Sequence, residues 1–181
     1  MTGKFMITLR YLREIGACAE GRSAFEKAFP DGGEYQTVLD KCAEEGRMDF
    51  ASWLLHKVGP TDDVRTYEEQ INDENMSICF AGALIFKKGA RVKRIEAGLG
   101  IEAGWGIKAG EGIEAGLGIK AGEGYGVFAG LKIKLSNWSL YARVSASCKP
   151  TNLISGYWVE SENRNDTNGT AKNGTCQSEG D

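Results

Sequence analysis

The chain has 181 residues, 41% of them apolar, which is enough for one domain or two small ones with a packed core. Its formal charge of −3 gives no overall basic excess of the kind a nucleic-acid binder presents. The longest apolar run, Met76 to Phe86, is too short to span a bilayer. Five cysteines, odd in number and widely spaced without a Cys-x-x-Cys, argue against a disulfide framework or a zinc site. They read as reduced thiols in a cytoplasm, and no secretory signal opens the chain.

Residues 1–60 read as a module of four short helices. "ITLRYLREIG" places Ile7, Tyr11, Leu12 and Ile15 on one face, with Gly16 as a stop. "SAFEKAFPDGG" opens with Ser23 and Glu26 at capping-box spacing and is ended by Pro30 and Gly32-Gly33. "EYQTVLDKCAEEG" groups Tyr35, Val38, Leu39 and Cys42, and Gly46 closes it. "DFASWLLHKVGP" has Asp49 as its candidate cap, a stripe of Phe50, Trp53, Leu54 and Val58, and a Gly59-Pro60 stop. Helices this short are marginal alone and must pack on one another or on a neighbour.

Residues 61–75 are acidic and polar, and read as a linker or an exposed helix. From Met76 a β domain begins, expected to run to about residue 160, with Ile78, Phe80, Ala81, Leu84 and Phe86 as a buried strand. A basic cluster, Lys87, Lys88, Arg91, Lys93 and Arg94, follows, and a solvated strand or turn accounts for it. Residues 95–124 are five copies of Ile-(Glu/Lys)-Ala-Gly-x-Gly. Two glycines in six would cost a helix about 2 kcal/mol per hexad, and collagen spacing is absent. The two-residue period is that of a strand, and a short repeated unit unable to bury its own apolar face reads as a stacked solenoid.

Two coil sizes compete. A twelve-residue coil puts Trp105 and Leu117 on one side and Glu111 and Glu123 on the other, but stacks Glu102 on Glu114 and Lys108 on Lys120. An eighteen-residue coil of three hexads places Lys120 over Glu102, and a six-residue meander would also alternate the signs. After the repeat, "YGVFAGLKIKL" and "WSLYARVSAS" alternate as half-buried strands around a Ser136-Asn137 turn, and "LISGYWVE" is a last strand. The polar segment 161–181 reads as a disordered tail, and its sequons as chance. The fold class is therefore α+β: a short N-terminal helical module, then a Gly-rich, solenoid-like β-repeat domain with flanking strands.

Chemistry is sparse. The hexads share a leading aliphatic residue with the left-handed β-helix of acyltransferases, but carry Leu, Trp or Glu where those want a small residue, and no histidine is near. A ranked-Thr ice-binding face is absent, since residues 76–135 hold no Thr. The Gly-x-Gly runs lack a nucleotide fingerprint. The lone histidine, His56, reads as an interaction with helix carbonyls, Cys18 as a buried small apolar residue, and adjacent acids as a solvated face. No catalytic residue, cofactor or metal ligand is expected. The aromatics crowd into the β half, so partner contact is expected at Trp105, Leu117, Glu111, Glu123, Trp138 and Tyr141. An open solenoid end also invites a homo-oligomer.

"LREIGACAEGRSAFEKAFPDG" with "DFASWLL" resembles a small module of phage and prophage proteins of unassigned role, on Gly16-Ala17-Cys18, Gly21, Phe25 and Trp53-Leu54. The hexads resemble Gly-rich repeats of the same kind of protein. The resemblance implies a non-enzymatic phage protein acting in the host cytoplasm. Its expected role is inhibition of a host protein or complex, such as a bacterial defence (CRISPR) effector, with the acidic segments lying in a site meant for nucleic acid. It is expected to bind neither membrane nor nucleic acid directly. The alternative is a self-assembling accessory protein that uses the repeat as an oligomerisation rod.

Overall fold

The protein, seen in a computed structural model that describes residues 5–160, joins a helical module to a parallel β-solenoid of about five turns. The segment 161–181, expected to be a disordered tail, lies outside the described residues.

The module opens with strand β1 (Met6–Ile7), which pairs antiparallel with β2 (Gly33–Glu34). Between them lie α1 (Leu9–Glu14) and α2 (Ala19–Ala28). Helices α3 (Tyr35–Glu44) and α4 (Met48–Val58) follow. Thr8 caps α1 by accepting the Tyr11 N–H. Gly16, Gly46 and Gly59 take positive φ where α1, α3 and α4 stop. Helix α2 starts four residues before the Ser23 expected from the capping-box spacing, because the Cys18 thiol accepts the Gly21 N–H at 3.3 Å. Helix α4 begins ahead of Asp49, which lies in its first turn.

The solenoid has three faces. The first is β3 (Val64–Tyr67), β5 (Ala83–Phe86), β7 (Ile101–Ala103) and β10 (Ile119–Lys120). The second is the start of β4 (Ile71–Phe80), the start of β6 (Ala90–Ala97), β8 (Ile107–Ala109), β11 (Val127–Phe128) and β13 (Leu153–Ser155). The third is the ends of β4 and β6, then β9 (Ile113–Ala115), β12 (Arg143–Ala146) and β14 (Tyr157–Glu160). β4 and β6 cross a corner unbroken because no Gly-x-Gly interrupts them there.

The repeat is three hexads per turn: Ile101 lies beside Ile119 and Glu102 beside Lys120. This settles the coil size on eighteen residues and removes the twelve-residue arrangement. The Ile and Ala of every hexad point inward, from Ile95 and Ala97 to Ile119 and Ala121. A buried Ile contributes about 1.5–3 kcal/mol relative to exposure, so the Ile ladder is a principal source of stability. The fourth-position glycine is needed for close approach. A Cβ on Gly104 would lie 2.2 Å from the Lys87 carbonyl oxygen of the preceding turn, and one on Gly116 would lie 2.1 Å from that of Gly98.

Three expectations for the flanking chain are corrected. Residues 61–75, read as a linker or helix, contain β3 and the start of β4 and form the first turn, because Tyr67 and Ile71 pack on the solenoid core, Tyr67 stacking on Phe86, while Val64 and Thr66 alternate outward. The stretch 131–142 is not strand: it leaves the solenoid through a 3-10 turn at Leu135–Asn137 and a short α5 (Trp138–Tyr141). "LISGYWVE" breaks into β13 and β14 at Gly156, whose φ of 126° turns a solenoid corner.

The module has its own core, and that core takes in Cys79 and Ala81 of the first turn. Gln36 on α3 donates from Nε2 to the Cys79 carbonyl (3.0 Å) and accepts the Ala81 N–H (2.9 Å). It thereby completes the open edge of β4 as a neighbouring strand would. Asp40 holds Arg65 of β3 in a bidentate pair at 2.7 and 2.8 Å.

Candidate functional site

The eighteen-residue period distributes the expected contact residues over three corners. Trp105 lies between the first and second faces; its N–H donates to the Lys88 carbonyl (3.2 Å) and its ring stacks beside Tyr125, centroids 6.3 Å apart. Glu123, exposed, follows one turn later on that corner. Leu117 lies between the third and first faces, above Leu99 and below Ser147. Glu111 lies between the second and third, paired with Lys93 at 3.6 Å. No single face carries all of them.

The third corner is where expected residues gather. The chain leaves the solenoid at Gly130 and returns at Ala142, and the neck is tight: a Cβ on Gly130 would lie 2.5 Å from that of Ala142. Within the excursion, Leu131 and Lys132 donate their N–H groups to the carbonyls of Ala109 and Gly110, while the Gly130 N–H donates to Glu111. The Lys132 ammonium meets Glu74 at 2.7 Å. Trp138, half-buried, donates its indole N–H to the Ile133 carbonyl at 3.0 Å and so fixes the short helix. The outer side is apolar: Leu135, Leu140 and Tyr141 are 75%, 68% and 57% exposed, and Leu131 also faces solvent. Single exposed leucines are ordinary on a protein surface, whereas here four apolar side chains lie exposed within eleven residues of one excursion. Trp138 and Tyr141 are among the expected contact residues; Leu131, Leu135 and Leu140 are not, because "LKIKL" and "WSLYARVSAS" both alternate like half-buried strands.

The basic cluster offers no open cationic stripe. Lys88 meets Glu69 (2.5 Å), Arg91 meets Glu74 (2.8 Å), Lys93 meets Glu111, and Arg94 meets Glu114 (3.1 Å) and Glu96 (3.5 Å). Lys132 and Arg91 hold the Glu74 carboxyl below its ordinary range, the hydrogen bond from Lys132 being the largest cause. The acidic segments are engaged in turn: Asp40 with Arg65, Glu45 with Lys41 and Arg47, and Glu69 and Glu74 as above.

The joint between module and solenoid holds the other concentration of polar chemistry. Glu96 is 2% exposed and accepts the Ser52 hydroxyl at 2.9 Å, with His56 Nδ1 at 3.9 Å. A serine, a histidine and a carboxylate are together, but not as a nucleophile and its base. The hydroxyl donates to Glu96, and His56 Nδ1 donates to the Ser52 carbonyl at 2.6 Å. Among the described residues no group of three or more His, Cys, Asp or Glu is placed to hold a metal ion. Cys18, Cys42 and Cys79 are free thiols, whereas Cys148 is disulfide-bonded, which corrects the reading of every cysteine as reduced. Cys18, expected to be buried, is exposed, because its thiol turns outward to cap α2. Burial pushes the Cys42 thiol up to about 11, with Glu45 adding to it and Arg47 opposing.

Among the described residues no helix is long and apolar enough to cross a membrane. Residues 1–59 match the YdhT N-terminal domain family, and this interval coincides with the helical module. No curated protein and no solved structure matches the chain significantly.

Proposed function

We propose that the chain is a non-enzymatic partner-binding protein, with the solenoid as a rigid support and the excursion 131–142 as the contact element. The observation that carries this reading is the exposed set Leu135, Leu140 and Tyr141 on a segment held at its base by Trp138, Lys132 and a closed neck. A preordered apolar protrusion loses little entropy on binding, so its area converts efficiently to affinity. The proposed setting is a phage protein acting on a host protein or complex in the cytoplasm. The three free thiols of the module and first turn suit that compartment and the disulfide at Cys148 does not. Inhibition of a defence complex is the form this takes if the partner is a host effector. Mimicry of nucleic acid is the less favoured route, since four carboxylates of the acidic segments, Asp40, Glu45, Glu69 and Glu74, are paired with cations of the chain itself.

The test is capture of partners from a bacterial lysate on the tagged full chain, beside a Leu135→Glu/Leu140→Glu variant. A stoichiometric host protein retained by the wild type and lost by the variant supports the reading. Equal capture by both, or recovery of the chain alone, overturns it. Deleting 95–124 is not a usable control, because that segment holds β7 to β10 and most of the Ile ladder.

A further inference from the structure

The helical module encloses a second feature, independent of the excursion. Helix α2 stands away from the α3–α4 hairpin, and between them lies a concave cleft of about 340 Å³. One wall is α2, where the small residues Gly21, Ala24 and Ala28 lie beside Phe25. The facing wall is α4, with Phe50 and Trp53. Cys18 stands at the rim. The walls converge at Gly21: a Cβ there would already touch Cys18 Sγ at 3.4 Å and the Phe50 ring at 3.8 Å, so a larger side chain at that position would intrude on the cleft.

The chemistry of the lining selects the occupant. Among the described residues the single buried side-chain polar atom without a hydrogen-bond partner is Nε of Arg94, which is not a lining residue. The deeper lining is carbon-rich, with Leu12, Phe25, Phe29, Val38 and Leu54 beside the two facing walls. Of the four ionic side chains at the mouth, Glu45 pairs with Lys41 at 3.3 Å and with Arg47 at 3.5 Å, and the fourth, Asp49, is exposed. Arg47 also lies over the Phe50 ring at 5.6 Å. An anionic head group would have to displace Glu45 from these cations. A cavity of about 150 Å³ lined by apolar side chains holds one benzene ring. This one has roughly twice that volume, with aromatic faces to stack on.

We infer that the helical module binds an uncharged apolar small molecule, of about two aromatic rings or equivalent aliphatic bulk, between Gly21–Ala24–Ala28 of α2 and Phe50–Trp53 of α4.

The experiment is fluorescence titration of the full chain with 6-propionyl-2-(dimethylamino)naphthalene, a neutral probe with two fused aromatic rings, reading both probe enhancement and energy transfer from tryptophan. The expected result is saturable 1:1 binding. Ala24→Phe, which fills the gap, should weaken it at least tenfold while circular dichroism is unchanged and the melting temperature holds or rises. Gly21→Leu is the second filling variant should Ala24→Phe fail to fold. Leu135→Glu/Leu140→Glu should bind as the wild type does, which separates this site from the proposed contact element. Bound probe should also slow alkylation of Cys18. Non-saturable binding, equal affinity in a folded cleft-filled variant, or loss of binding in the Leu135/Leu140 variant would overturn the inference. Displacement of the probe only by an amphipathic helical peptide, and by no neutral small molecule, would reassign the cleft to a protein partner and likewise overturn it.

Discussion

Replacing Gln36 by Leu removes one side chain and uncovers two main-chain groups. Its amide donates to the Cys79 carbonyl and accepts the Ala81 N–H, and those two residues are 0% and 1% exposed. A buried polar group left without a partner costs about 1–3 kcal/mol, and the asymmetry matters because leucine offers neither donor nor acceptor. Both bonds are part-buried, so water recovers a portion, and a total near 2–4 kcal/mol is expected. In a domain of this size each kcal/mol moves the melting temperature by about 2–4 °C, giving a fall of roughly 5–15 °C. The specific readout is amide exchange: the Ala81 N–H should lose protection in Gln36→Leu while the Leu84 N–H, which donates to Gly100, keeps it. Gln36→Glu retains the acceptor but sets a carboxylate against the Cys79 carbonyl and beside Asp40, so it should be at least as unstable at neutral pH. A Gln36→Leu protein within 0.5 kcal/mol of wild type, with Ala81 still protected, would refute the idea that this amide stands in for a strand.

Further outcomes follow from the same geometry. Gly116→Ala should destabilise by about 1–3 kcal/mol or more through overpacking against the Gly98 carbonyl, whereas Gly118→Ala, whose Cβ meets nothing within 4 Å, should be neutral or stabilising by chemical denaturation. In timed alkylation read by mass spectrometry, Cys18 should react first, Cys42 more slowly because its thiol is pushed up to about 11, and Cys79 only on unfolding. An acid whose folded pKa is raised ionises first in the unfolded chain. Cys42 should therefore cost stability as pH rises from about 9 toward 11, a loss that Cys42→Ala removes. Glu74 has the opposite sign: its folded pKa is depressed, so its contribution is present above the ordinary carboxylate pKa and lost as pH falls through the folded value. Glu74→Gln should flatten the acid limb of the stability curve.

The helices and the β-repeat were legible because their signals are local. Gly16, Gly46 and Gly59 stop helices by adopting positive φ, and the alternation of Ile and Ala in the hexads reports a strand whatever its neighbours are. The coil size was not local. Charge alternation favoured eighteen residues at Glu102 and Lys120, but the same period stacks Glu96 on Glu114 and Arg91 on Lys108. Arg94 bridges the two carboxylates, and Glu74 pairs with Arg91 while Lys108 lies over Phe128 at 5.5 Å. Those compensations come from residues outside the repeat, so the repeat alone could not disclose them. The cleft was hidden for a related reason: Gly21, Ala24 and Ala28 look like ordinary helix residues until α2 is seen to stand off from Phe50 and Trp53.

The two ends of the solenoid differ, and this bears on self-assembly. A rod that grows head to tail needs an open edge at each end. At the first turn, Gln36 occupies the β4 edge and Asp40 ties down β3 through Arg65. Asp73 on β4 and Glu68 at the corner before it add exposed negative charge there, and charge on an edge strand resists pairing with another chain. At the other end, among the described residues, no strand pairs with β10 beyond β7. For a chain that self-assembles, closure of the first-turn edge would disfavour head-to-tail growth into a filament. A sedimentation measurement finding filaments or open-ended oligomers of the full chain would contradict the capping role assigned to Gln36 and Asp40. In that case the Gln36→Leu exchange experiment would be expected to fail with it.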